Sequence, residues 1–283
     1  MSAYQSLLST PTAAKRAKTL LVFFIIYILT TVLSIFAELN EIKIYKKILI
    51  EGSSSEVDEM LSILMTTFFG FLQFIVLIIT YVLFLMWIHR AYRNVMVLHN
   101  DELKYSPGWA VGSYFIPFVN LVLPFLVMRE IWKGSSPHGK IEDRLAWKKE
   151  KGSALLIFWW LFWLLSNHLS TFVFRLYWRA DTPEEYITAN WFSITSSIIE
   201  VILTLLVLFV VHTINRRQSE KRKKLEEYYQ RQSSLGAESA PQEVLKEASG
   251  VPQGISFTEQ REQDVPGQQH PNPQLKGRFV WKK

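Results

Sequence analysis

Residues 60–88 read MLSILMTTFFGFLQFIVLIITYVLFLMWI, twenty-nine positions without a charged side chain. A helix crossing bilayer hydrocarbon needs about 20 predominantly apolar residues, so this run decides the solvent in which the chain folds. Inside hydrocarbon every backbone N–H must be bonded within its own structure, which leaves helices or closed barrels. Barrel strands alternate polar and apolar residues, and this stretch does not. Residues 19–37, 109–128 and 153–174 are equally free of charge, and 191–215 carry only Glu200.

The chain has 283 residues, 49% of them hydrophobic and 14% aromatic, concentrated in these five runs. Cysteine is absent, which removes disulfides, thiolate nucleophiles and Cys-ligated metals from consideration. The net charge of +6 comes from basic residues flanking apolar segments, where anionic lipid headgroups rather than nucleic acid are the expected partner. No small-residue cleavage site closes 19–37, which is read as a retained helix rather than a secretory signal.

Loop charge sets the expected topology, because short Lys/Arg-rich loops stay in the cytoplasm. Lys15, Arg16 and Lys18 precede the first run, whereas residues 38–59 hold three basic side chains against six acidic. Five crossings would divide the basic residues 16 inside to 8 outside, and four crossings with both termini inside divide them 19 to 5. The segment left out is 109–128, interrupted by Pro117, Asn120 and Pro124. Each internal proline should remove a helical hydrogen bond and free a carbonyl. The expectation is an all-α polytopic membrane helix bundle. Four spans cover about 19–37, 60–88, 153–174 and 191–214, and a proline-broken segment over 107–132 is re-entrant or interfacial. Residues 1–18 form the cytoplasmic N-terminal segment of this arrangement, 19–215 the membrane domain, 216–232 a basic juxtamembrane helix and 233–283 a disordered tail.

The densest pattern is WIHRAYRNVMVLHNDELKYSPGWAVGSYFIPFVNLVLPFLVMREIW, residues 87–132. Trp87, Arg90 and Asn94 recur at helical spacing. Ser106 is placed as an N-cap, with Pro107 at the first helical position. The stretch resembles the bacterial membrane family described as domain of unknown function 4328. The likeness rests on Trp87, Arg90, Ala91, Asn94, the run Ser106-Pro107-Gly108-Trp109-Ala110-Val111-Gly112, then Pro117, Asn120, Pro124, Glu130 and Trp132. It is close over about 45 residues and looser over roughly 19–215. What it implies is a small multipass bacterial membrane protein, with no activity to carry over; the expected location is the inner (plasma) membrane.

Arg90, Asn94, Asn120 and Glu130 are the candidates for a cytoplasmic polar pocket, with Glu130 a partner for Arg90 and a lipid headgroup or small anion as occupant. The structural alternative is that they satisfy backbone groups left open by the prolines. Glu200 is the only acid inside an expected span, and an intramembrane carboxylate is a functional candidate by default. Asn167 and His168 are placed at its depth, so a Glu200–His168 pair could relay a proton or bind a cation. Packing among small polar neighbours is the competing reading. Gln73, with Thr66 and Gly70 on its face, reads as helix-packing glue.

The spacing Gly134-Ser-Ser-Pro-His-Gly-Lys140 imitates a phosphate loop, but Ile141 stands where a Mg²⁺-binding hydroxyl belongs and no strand precedes it. The histidines show no metal-ligand spacing, and neither a nucleophile elbow nor a cofactor motif occurs. Arg216, Arg217, Lys221, Arg222, Lys223 and Lys224 form a basic cluster, expected to favour anionic lipid. The leading functional expectation is a non-enzymatic scaffold, sensor or regulatory protein, with a homo-oligomer or membrane partner open. The alternative is a small-solute or ion transporter or channel subunit using Glu200 and His168, and an intramembrane or lipid-modifying enzyme stands third.

Overall fold

The computed structural model describes residues 13–98 and 100–238, together with Gln5, Leu7 and Ser9. Its long helices are α1 (Ala14–Glu51), α2 (Glu56–Val97), α6 (Ala154–Arg179) and α7 (Pro183–Glu238). Between α2 and α6 lie α3 (Pro107–Gly112), a 3₁₀ turn (Val119–Leu121), α4 (Leu123–Gly134) and α5 (Ala146–Lys149). All four long helices are long and apolar enough to cross a membrane. Bulky apolar side chains such as Phe68, Phe71 and Phe74 cover the outside of the bundle, the inverse of a water-soluble surface. The chain is an all-α membrane protein.

The expected loop over 38–59 is mostly helix. Residues 38–51 are rich in good helix formers, and α1 runs through them until Gly52 adopts a left-handed φ of 77° and donates its N–H to Ile48 O at 2.9 Å. Glycine accepts that conformation without a Cβ penalty. Glu56, Asp58 and Glu59 then occupy the first turn of α2, where acids oppose the helix dipole favourably. At 38 and 42 residues, α1 and α2 are about 57 and 63 Å long. They therefore project well beyond a hydrocarbon core of about 30 Å.

The polar cross-links give the helix directions. Arg16 donates to Met86 O, Gln73 to Thr31 and Asn40 to Ser62, an antiparallel α1–α2 pair in which Gln73 does act between helices. Helix α7 runs against α1, through Tyr27–Glu200 and Ser193–Glu38, and alongside α2, through Trp87–Asn215 and Asn94–Gln218. Helix α6 returns against α7, with Tyr177 on Asn190 and Ser170 on Glu200. Trp87, Tyr92, Met128, Ile131, Trp159 and Ile214 are almost wholly buried at the centre.

The proline segment breaks, for a partly different reason than expected. Helix α3 already ends at Gly112 and closes in tight turn bonds from Tyr114 to Val111 O and Phe115 to Gly112 O; Pro117 follows in the irregular turn, and Phe118 takes a left-handed φ of 63°, a position where a bulky residue is strained. Pro124, by contrast, stands in the first turn of α4, where its missing N–H has no helical acceptor to lose. At 6 and 12 residues, α3 and α4 are both too short to span hydrocarbon. Beyond Gln232, where the basic helix was expected to end, α7 continues to Glu238. The rest of the expected disordered tail lies outside the described residues.

Candidate functional site

The four residues expected to form one polar pocket separate into different networks. Asn94 is buried and donates to Gln218 Oε1 at 3.0 Å, while Gln218 Nε2 donates to Ala91 O and Ser135 Oγ. Glu130 is also buried, but its partners are the Tyr92 hydroxyl at 2.6 Å and the Lys104 N–H at 3.0 Å, not Arg90. The Tyr92 oxygen in turn accepts the Tyr105 N–H at 3.0 Å. Arg90 instead lies near Arg16 and Arg93, the three forming a basic collar. Asn120 belongs to the turn after Pro117, its N–H on Ile116 O. The expected Arg90–Glu130 pair is not formed: Glu130 meets Tyr92, and Arg90, two residues away and about 200° around α2, lies on the opposite side of the helix.

The motif residues are seen to stitch segments together. Ser106 caps α3, accepting the Trp109 N–H at 3.3 Å, with Pro107 in the first turn and Gly108 following. Trp87 is fully buried and its ring N–H faces Asn215. Arg217 lies 4.6 Å over the Trp132 ring, a cation–π contact. Trp109, Pro117 and Phe118 are on the outside of the bundle. The loop after Gly134 is also tied down, with the Gly134 carbonyl accepting from Asn100 and Lys221 and the Pro137 carbonyl from Lys224. Lys221 lies beyond the apolar part of α7. Burial pushes its ammonium down to about 8, against the opposing effect of Glu150 and with Arg217 adding to it.

Glu200 has different partners from those expected. Its Oε2 accepts the Tyr27 hydroxyl at 2.6 Å, its Oε1 the Ser170 hydroxyl at 3.2 Å, and its carbonyl the Thr204 hydroxyl. His168 lies on the exposed face of α6, with Nδ1 2.8 Å from Leu164 O of its own helix. The two do not pair, because His168 points away from the face of α6 that carries Ser166 and Ser170. Asn167 also bonds within α6, to Trp163 O, yet it and Glu200 line the same space. That space is a cavity of about 550 Å³ between α1, α2, α6 and α7, walled by Phe24, Tyr81, Trp159 and Trp163 among others. Tyr114, from the broken segment, lines it too, and its buried hydroxyl finds no hydrogen-bond partner among the described residues. Sequence reasoning missed Tyr27 and Tyr114, although a tyrosine in the middle of an uncharged run was a visible signal.

A bundle of this architecture, with one acid in an apolar cavity between spans, defines a class of helical membrane proteins. The model of the family Domain of unknown function (DUF4328) matches residues 52–216, more than half of the chain, and the chain belongs to that family. The match begins at the turn after α1, so the first helix, which the looser resemblance had included, lies outside it. No curated protein and no solved structure matches the chain.

Proposed function

We propose that this protein is a non-catalytic sensor or regulatory protein of a bacterial inner membrane, which holds a small amphiphile in the cavity around Glu200. The observation that carries the reading is the cavity's composition. Its volume of about 550 Å³ lies in the range of ligand sites, about 300–1,000 Å³, which are mostly apolar with a few placed polar groups. Aromatic walls suit an apolar body, while Glu200, Ser170 and Tyr114 suit a head that is cationic or rich in hydrogen-bonding groups. In this reading both termini, the broken segment and the basic helix lie on the cytoplasmic side, with Arg216 to Lys224 and the Arg16, Arg90 and Arg93 collar against anionic headgroups. The chain crosses four times.

Native mass spectrometry of the chain purified from membranes tests the ligand. A small adduct is expected on the wild type, and Ser170→Trp, which fills the cavity beside Glu200, should remove it while leaving the helical content unchanged. An adduct that persists in the variant, or none on the wild type, sinks the reading. The second reading, a solute or ion pathway, is favoured by the carboxylate in the same cavity. It predicts flux in reconstituted vesicles that Glu200→Gln abolishes.

A further inference from the structure

Helix α1 carries a polar seam. Tyr27, Thr31, Ser34, Glu38, Glu41 and Tyr45 follow one another at alternating steps of four and three, the spacing at which a helix presents one face to its neighbours. All six are at least partly buried, with Thr31 at 0%, Ser34 at 5% and Glu38 at 9% exposure. Most of the seam is paired: Tyr27 donates to Glu200, Gln73 to Thr31, Ser193 to Glu38 Oε1 at 2.6 Å, and Tyr45 to Glu41 Oε1 at 3.3 Å.

Three atoms are left over, and they are consecutive along the seam. Ser34 Oγ, Glu38 Oε2 and Glu41 Oε2 are buried and find no partner among the described residues. Glu38 and Glu41 are one helical turn apart, so their Cβ atoms are about 5–6 Å from each other. The groups facing them carry no positive charge. They are Tyr45 on α1, Thr66 on α2, Tyr177 on α6, and Asn190, Ser193 and Glu200 on α7, of which Thr66, Tyr45 and Asn190 offer neutral polar contacts to the Glu41 carboxylate. Glu59 and Tyr186 face Tyr45 in turn, while Lys43, Lys46, Arg175 and Arg179 point outward and are exposed.

Two neighbouring carboxylates withdrawn from water and without a counter-charge do not both stay ionised. Something positive has to enter, and the two open carboxylate oxygens accept only from a proton-bearing or cationic guest, while the Ser34 hydroxyl can accept or donate. We propose that Glu38 and Glu41, assisted by Ser34, form a site for one monovalent cation, a proton or an alkali ion, at the end of the bundle away from the basic helix. Ser193 positions the site by holding Glu38 Oε1. Two carboxylates suit a single positive charge, which leaves the pair with one net negative charge and the orphaned oxygens satisfied. The seam continues two turns further to Tyr27 and Glu200, but the site stands independently of any ligand in the cavity.

Thermal unfolding of the full chain in lipid nanodiscs between pH 5 and 9, first in choline chloride and then with sodium chloride at constant ionic strength, tests this. Folded-state carboxyls that hold a proton above their unfolded pKa contribute stability at low pH. In choline the wild-type Tm should therefore fall by several degrees as the pH rises. Sodium that restores the loss identifies an alkali ion, and a pH slope untouched by sodium identifies a proton. Glu38→Gln and Glu41→Gln should each shrink the slope and the double variant should flatten it. For variants that fail to fold, the infrared band of protonated carboxyl in the wild type gives the same answer, since it should vanish on raising the pH or on adding sodium. A wild-type Tm indifferent to both pH and sodium, or a slope that survives in the double variant and disappears in Glu200→Gln, overturns the proposal.

Discussion

Replacing Glu130 by alanine is expected to destabilise the folded chain by about 3 kcal/mol, as a buried charged acceptor is worth about 1.5–3 kcal/mol per hydrogen bond and this one serves two donors. Glu130 is 5% exposed and receives both the Tyr92 hydroxyl and the Lys104 N–H. Its loss leaves the Lys104 N–H without an acceptor and opens a small void beside Tyr92. Tyr92→Phe removes one of the two donors and the acceptor of the Tyr105 N–H, and should cost about 1–2 kcal/mol. Because the two residues share one bond, the double variant should cost less than the sum. Equilibrium unfolding in detergent micelles measures all three. Additive losses would mean that the 2.6 Å contact contributes nothing.

Gly134→Ala is expected to cost about 2–3 kcal/mol, at the upper end of ordinary overpacking. A Cβ on Gly134 would lie 2.4 Å from Val95 Cγ1 and 3.4 Å from Asn100 Nδ2. Val95 is fully buried and β-branched, so its χ1 has little freedom to yield. Helices α2 and α4 would have to separate, and the Gly134 carbonyl would leave Asn100 and Lys221. Truncating the neighbour should relieve the clash: Gly134→Ala combined with Val95→Ala should be more stable than Gly134→Ala alone. If the second substitution instead adds its own loss, the close approach of the two helices is not what selects glycine here.

The membrane architecture was legible because the bilayer imposes a length and a polarity that single segments must meet alone. Residues 60–88 need no partner to declare themselves, and Ser106-Pro107 declares a helix start in the same local way. Pairings between helices were not legible, since they depend on rotation about the helix axes. Glu200 and His168 were placed at one depth, but depth leaves the facing direction open, and Tyr27 fills the place assigned to the histidine. Glu130 went to Tyr92 for the same reason. The acid pair at Glu38 and Glu41 was hidden by a boundary: with the first span expected to stop at Ala37, both read as loop charges. Continuing the four-and-three spacing from Tyr27 through Tyr45 would have shown them on the buried face. Pro124 was legible in principle, since a proline ahead of the run to Gly134 suits a helix start as well as a break.

The topology on which the cavity and the acid pair both depend can be measured directly, because the chain contains no cysteine and single cysteines report without background. Lys15→Cys, Lys140→Cys and Gln230→Cys occupy exposed positions in the first turn of α1, in the loop between α4 and α5, and in the basic part of α7, while Ser53→Cys and Thr182→Cys occupy the turns at the other end. In sealed, oriented membrane vesicles, a membrane-impermeant maleimide should label the first three from one side only and the last two only from the opposite side. Labelling of Lys140→Cys from the side of Ser53→Cys would contradict the account, because the broken segment would then cross the membrane and the chain would span it five times.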